Sequence, residues 1–298
     1  MTPRLAVIVL AYNQFELTRA CLASVYQHAG APLRVVVVDN ASTDETPTRV
    51  RDFFPDAYVI ENKTNRGYAQ GNNVGLLYAL DQNFEYAMLL NNDVTIAENC
   101  FAVLLRAADE NQDAGLLGPI VYHAEEPRTI QSAGGVLPPD WHSYHRGANE
   151  TEAGQFARVE DVDWLTGCAV LARVGALRAI GLLDENFFMY GEDVDWGVRA
   201  RRAGYRVLFV PTARVWHRGV QRVYSPAPYV TYYSARNELQ LIQKHRAGLS
   251  PLLGAWARNL RTVASWSLLP RWRAQRTQRD ALVRALRDAA FGRTGQWV

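Results

Sequence analysis

Residues 5–10 (LAVIVL) and 33–38 (LRVVVV) decide the fold. Runs this apolar and β-branched belong in a parallel sheet covered on both faces. Between them, residues 15–28 place Leu17, Cys21, Leu22 and Val25 on one side of a helix, which completes a βαβ unit. A third run, residues 87–90, ends at Asn91-Asn92-Asp93, and a helix is expected over about residues 97–111. Further strands are expected at 116–121, 164–172 and 206–210, the last closed by Pro211. Residues 123–156 hold several prolines, Gly134-Gly135 and three histidines. They are too many for a simple connection, so a functional flap or a small hairpin is expected. From Tyr229 onward the pattern is helical, with breaks at residues 248–251 and at Pro270, and there are no internal repeats.

The 298 residues are 48% hydrophobic and 21% charged, ordinary for one large α/β unit or two small ones. A net charge of only +2 speaks against a dedicated nucleic-acid binder. The charge is unevenly spread. From Lys244 on there are eleven Lys/Arg against two Asp/Glu, a net +9, which leaves −7 for the rest. Such a tail suits an anionic surface or substrate, or a solvated basic face. Arg273, Arg276, Arg284 and Arg287 are expected on one stripe of an amphipathic helix, with Leu282, Leu286 and Ala289 opposite. That helix would either lie on the inner leaflet of the cell membrane or pack on the rest of the chain. Cys21, Cys100 and Cys168 lack metal-ligand spacing and read as buried small hydrophobes in a reducing compartment. The chain enters a strand directly after Met1-Thr2-Pro3-Arg4, which leaves no room for a signal peptide, and no apolar run approaches the ~20 residues of a membrane span. A cytoplasmic protein, peripheral at most, is expected.

In an open parallel sheet, ligands bind beyond the carboxyl ends of the strands. Here those ends run into Ala11-Tyr12-Asn13, into Asp39-Asn40 followed by Ser42, Thr43 and Asp44, and into Asn91-Asn92-Asp93. Any one of these is ordinary turn and cap chemistry; three at one sheet edge point to a ligand site. Neither a G-x-G-x-x-G after the first strand nor a P-loop is present. Gly67, Gly71 and Gly75 follow Asn65-Arg66 at a spacing that suits a loop bringing backbone close to a phosphate.

The segments VIVLAYN (7–13), VVVVDNASTDET (35–46), NRGYAQGNNVGL (65–76), LLNNDV (89–94), WLTGCAVLARV (164–174), FFMYGEDVDWGVRARRAGYRV (187–207) and ARVWHRG (213–219) resemble glycosyltransferase family two, in its rhamnosyltransferase-like branch. YYSARNELQLIQKH (232–245) and ALRDAAFGRTG (285–295) resemble that branch too. The resemblance implies an α/β GT-A fold, with a mostly parallel central sheet flanked by helices and a helical C-terminal extension. It implies a catalytic domain over residues 1–228, with a donor-binding half to about residue 95 and an acceptor-binding half after it, then a basic helical extension over 229–298. It further implies an inverting, metal-dependent transfer of a sugar, with dTDP-rhamnose the first choice of nucleotide-diphosphate donor. The acceptor would be a hydroxyl of a cell-surface glycan or a lipid-linked saccharide, as in cell-wall or polysaccharide biosynthesis.

Carried onto these residues, the resemblance places the donor among Ala11, Tyr12, Asn13, Asp39, Asn40, Arg66, Gly67, Asn72, Asn91, Asn92 and Asp93. Asp39 is suited to accept from the imide N–H of a pyrimidine base, and Arg66 is a candidate diphosphate contact or a surface ion pair. Asn91-Asn92-Asp93 stands where the fold carries D-x-D, so one carboxylate remains, which weakens the expected metal affinity. His217 resembles an additional metal ligand that some members carry, so Asp93 and His217 together would bind Mn²⁺ or Mg²⁺. The general base is expected at Asp193, with Glu192 positioning the acceptor or raising the base's pKa; helix-start electrostatics is the plainer role for this cluster, and Asp195 is expected to be structural. Trp164, Thr166 and Gly167 would lie beneath the acceptor sugar, Trp164 either stacking on it or packing in the core. Two other functions compete. A sugar nucleotidyltransferase would carry a glycine-rich basic loop after the first strand, where this chain has Ala11-Tyr12-Asn13-Gln14. A non-catalytic nucleotide-sugar binder would fit the reduced Asn-Asn-Asp motif but not Asp193 and His217.

Overall fold

A computed structural model of the chain describes residues 3–219 and 227–297. The elements run β1 (Leu5–Ala11), α1 (Phe15–His28), β2 (Leu33–Asp39), α2 (Thr46–Phe53), β3 (Tyr58–Glu61), α3 (Gly67–Asp81), β4 (Tyr86–Asn91), β5 (Val94–Ile96), α4 (Cys100–Glu110), β6 (Ala114–His123), β7 (Ile130–Ser132), β8 (Gly135–Val136), β9 (Tyr144–His145), β10 (Glu160–Asp161), β11 (Ala169–Arg173), α5 (Val174–Ile180), α6 (Glu192–Arg202), β12 (Arg206–His217), α7 (Pro228–Lys244), α8 (Leu249–Leu268) and α9 (Arg276–Ala290). The main sheet has the order β10-β12-β6-β11-β4-β1-β2-β3. Strands β3, β2, β1 and β4 are parallel, β11 is antiparallel to both its neighbours, and β6 and β12 are again parallel.

The alternation of side chains along β1 explains why both faces are apolar. Leu5, Val7 and Val9 join one core with Cys21, Leu22 and Val25 of α1 and Phe101 and Leu104 of α4. Ala6 and Ile8 face the other core, with Leu76 of α3, Leu177 of α5 and Trp196 of α6. Gly71 and Gly75 let α3 press directly onto β1, because a Cβ there would collide with Leu10 or Ile8. Gly67, at φ +70°, leaves room for Phe188 in the same way. Close packing by itself therefore accounts for the glycine spacing.

Strand β12 departs from the expected 206–210. It runs on through Pro211 to His217, because a register shift between Val210 and Arg214 takes up the residue that cannot donate to the ladder. Residues 164–168 are loop, and only Ala169–Arg173 is strand. The 123–156 stretch does contain a small hairpin, β8 paired with β9.

The C-terminal helices grip the loop that leads into α6. Asn237 of α7 donates from Nδ2 to the carbonyls of Phe187 (2.9 Å), Met189 (2.9 Å) and Tyr190 (2.7 Å). Arg236, 1% exposed, donates to Phe187 O at 3.0 Å and Gly295 O at 2.6 Å. The same loop places Phe188 O against Tyr68 N of α3 at 2.7 Å, and it holds Phe188, Tyr190 and Gly191 at positive φ. Neighbours on both sides must hold so unfavourable a backbone. Replacing Asn237 with Ala strands those carbonyls, and we expect a loss of about 1–3 kcal/mol, read as a lower urea midpoint at unchanged slope.

The amphipathic stripe expected in the tail is divided differently. Leu282, Leu286 and Ala289 of α9 are buried against α7 and α8, and Arg273 lies in a separate 3₁₀ turn, Pro270–Gln275. That apolar stripe is a packing face. Among the described residues no helix is long and apolar enough to cross a membrane.

Candidate active site

The three polar strand ends converge at one edge of the sheet. Ala11 O accepts from Asn40 N at 2.7 Å, and Asn13 bonds across to Ser42 and Thr43, so the ends of β1 and β2 are tied together. Asp39 is 2% exposed; its Oδ2 accepts from Ser42 N at 3.0 Å, while its Oδ1 is buried without a partner. A buried carboxylate oxygen left open suits a donor supplied by a ligand. Asn40 is used differently. Its amide donates to Asn65 and Gly67 and accepts from Asn62 and the Arg66 N–H, which shapes the loop ahead of α3. Asn72 bonds back to Tyr68 O within α3, Asn92 donates to Thr18, and Tyr12 and Arg66 are exposed at the rim.

Asp93 follows β4, and His217 ends β12, which pairs with β5. This brings His217 Nε2 to 3.2 Å from Asp93 Oδ1, with Asn91 Nδ2 at 3.4 Å. Gln131 of β7 takes the other ring nitrogen at 3.0 Å and so orients the imidazole. Burial pushes the His217 pKa down, but the adjacent Cys168 and Asp93 outweigh it and lift it to about 10. Burial acts to raise Asp93, and the His217 hydrogen bond holds it below the usual carboxylate range. Gly219 closes this corner, and a Cβ on it would fall 2.6 Å from Asp93 Oδ2 and 3.1 Å from His217 Nε2. The missing side chain keeps open the space the two ligand atoms face. Among the described residues no group of three or more His, Cys, Asp and Glu could hold a metal ion. Asp93 and His217 are thus two candidate ligands only; a divalent ion held there would take the rest of its shell from phosphate and water oxygens and would displace the proton between the imidazole and Asp93.

Glu192, Asp193 and Asp195 form the first turn of α6. Asp193 Oδ2 accepts from Gly167 N at 3.1 Å, and Oδ1 from Val194 N at 2.9 Å. Tyr68 OH donates to Gly167 O at 2.5 Å, so α3 fixes the turn beneath the carboxylate. Burial raises the pKa of Asp193, opposed by those backbone N–H groups. Burial, and next the Asp193 charge, raise Glu192 far more; its Oε2 is buried without a partner. Of the two, burial disfavours the charged form of Glu192 more strongly than that of Asp193, whose charged form the two backbone N–H groups favour. Asp195 is fully buried and plays a different part, bound to Arg199 (2.7 Å), Lys244 (2.6 Å) and His245 (2.9 Å).

Asp193 opens into a cavity of about 450 Å³. Its walls include Trp164 and Trp141, His142 and Tyr144 of the β8–β9 hairpin region, and Glu238 and Trp266 of α7 and α8. Trp164 is 4% exposed, packs at a tilt against His145 and donates to Val136 O, so it serves the core while also lining the cavity. Thr166 is half-buried in the same loop. Sequence reading missed Tyr68, Gln131, Arg236 and Asn237. Each acts through a contact far off in the chain, 86 positions for Gln131, 99 for Tyr68 and between 47 and 59 for Arg236 and Asn237, and no local pattern carries that.

Residues 6–181 match the family model described as Glycosyl transferase family 2. The chain is 28% identical, over 90% of its length and 91% of the relative's, to the N-acetylglucosaminyl-diphospho-decaprenol L-rhamnosyltransferase of Mycobacterium tuberculosis. It is 24% identical, over 72% of each chain, to the dTDP-rhamnosyl transferase RfbF of Shigella flexneri. Among solved structures, the mannosyltransferase PcManGT of Pyrobaculum calidifontis, in complex with GDP-Man and Mn²⁺, superposes with a TM-score of 0.58 at 20% identity, covering 98% of this chain and 88% of that one. The architecture is the GT-A fold.

Proposed function

We propose that this chain, which belongs to glycosyl transferase family 2, moves rhamnose from dTDP-rhamnose to a hydroxyl of a glycan or lipid-linked saccharide, with inversion at the anomeric carbon. The observations that support this reading are the unpartnered Asp39 oxygen at the end of β2, the Asp93–His217 pair beyond β4 and the Asp193 carboxylate on the first turn of α6, groups suited in turn to base, diphosphate and acceptor. The choice of rhamnose rests on the names of the two rhamnosyltransferase relatives.

Asp39 would accept from the base of the donor, and the loop that Asn40 shapes would carry Arg66 toward the diphosphate. Asp93 and His217 would hold a divalent cation, which when bound offsets negative charge on the leaving diphosphate. Asp193 takes the proton of the acceptor hydroxyl as that oxygen attacks. Its raised pKa makes it a better base than an exposed aspartate, and the two backbone N–H groups keep it aimed at the cavity. The cavity beside Asp193 also supports the acceptor side, since it is bounded by aromatic rings that suit sugar faces.

A thermal-shift screen against nucleotide sugars, with and without Mn²⁺, tests this. dTDP-rhamnose with Mn²⁺ is expected to raise the melting midpoint by roughly 5–10 °C at a hundredfold excess over Kd. His217→Ala should lose most of the Mn²⁺-dependent part. Equal dTDP affinity in EDTA and in Mn²⁺ by calorimetry would sink the metal assignment, and no shift with any nucleotide sugar would sink the donor reading.

A further inference from the structure

Helix α8 presents two unlike faces. Its inner side buries Pro251 and Ala255, and Asn259, Thr262 and Trp266 line the cavity that holds Asp193. Its outer side carries Leu249, Leu253, Ala257, Leu260, Ala264 and Leu268. At about 100° per residue these six fall within roughly 100° of arc, one continuous apolar stripe. The four leucines are each between 54% and 79% exposed, and both alanines are exposed as well. Single exposed leucines are ordinary; a six-position stripe the length of a helix is not.

The charge around the stripe is one-sided. Between Glu238 and Asp280 the chain has no acidic residue and eight Lys/Arg. Arg261, beside the stripe, and Arg271, Arg273 and Arg276, just beyond its end, are exposed and have no acidic partner among the described residues. Leucines flanked by unpaired arginines match a surface that is anionic outside and apolar within.

We infer that α8 lies in the headgroup region of an anionic phospholipid bilayer, its leucine stripe among the acyl chains and its arginines on the lipid phosphates. A second copy of the chain fits the same stripe less well. A two-fold contact through α8 would set two strongly basic surfaces against each other. Docked on lipid, the helix would place the Asp193 cavity one helix diameter, about 10–12 Å, from the membrane surface.

The test is flotation of the purified full chain with vesicles of phosphatidylcholine alone and of phosphatidylcholine with one-third phosphatidylglycerol. Co-migration is expected with the anionic vesicles, falling about tenfold or more with neutral vesicles or in high salt. Leu253→Gln with Leu260→Gln should abolish it, and Arg261→Gln with Arg271→Gln and Arg273→Gln should weaken it about tenfold or more. All these side chains are exposed, so unchanged melting midpoints check that the variants are folded. Light scattering on the same samples reads the competing occupant. No flotation with anionic vesicles overturns the inference. So does flotation that neither variant reduces, or a dimer that the leucine variant dissociates.

Discussion

Asp193→Asn is expected to lower the rate of sugar transfer by about 100- to 10,000-fold while leaving donor affinity within about twofold. The amide keeps the shape and can still accept from Gly167 N, so the turn beneath it should survive. What is lost is basicity at a carboxylate that faces the cavity and is aimed by two backbone N–H groups. In the wild type the transfer rate should rise with pH through a pKa above the usual aspartate value, because burial raises that of Asp193; the variant should lack that limb. Transfer rate, donor titration and the pH profile on both proteins decide the matter. Near-wild-type transfer would reopen Glu192, and equal loss of donor binding and rate would give the pair a structural role.

Asp195→Asn should behave in the opposite sense, with a loss of about 3–5 kcal/mol of stability. Three cationic or hydrogen-bonding partners, Arg199, Lys244 and His245, converge on this fully buried carboxylate. Two of them belong to α7 and its C-cap, so the residue joins the catalytic helix α6 to the extension. Burial acts to raise its pKa, but His245, Arg199 and Lys244 outweigh that and hold it at about 2. A folded pKa below the unfolded one means that the stabilisation is complete above about pH 4 and is lost as pH falls through about 2. Urea midpoints against pH should therefore show an acid limb in the wild type that is markedly shallower in Asp195→Asn. Wild-type stability in the variant, or an unchanged acid limb, would remove Asp195 from this role.

The elements with strong local signals were legible beforehand. Helix α1 occupies residues 15–28 as its apolar spacing predicts, and the buried strands β1 and β2 follow from their unbroken apolar runs. The break expected over residues 248–251 falls at residues 245–248 instead, with Pro251 in the first turn of α8, and the Pro270 break separates α8 from the 3₁₀ turn before α9. The end of β12 was not legible, because Pro211 signals a stop and only pairing with β6 and β5 carries the strand past it to His217. The apolar stripe of α9 was visible as a stripe, but its covering by α7 and α8 was not, since periodicity records a face and never its partner.

The sequence by itself determined the parallel half of the sheet, the polar strand ends and the residue types of the candidate site. These depend on spacing within a few turns or a single strand. Tertiary structure alone decided which of those residues meet. It brought Asp93 to His217 across 124 positions of chain and left Asp39 with an open oxygen. It also drove two nearby carboxylates apart, the pKa of Glu192 raised by burial and that of Asp195 lowered by three partners, though both lie on the first turn of one helix. Burial and through-space charge set those states, and both are sums over groups that the folded chain gathers from far apart in its order.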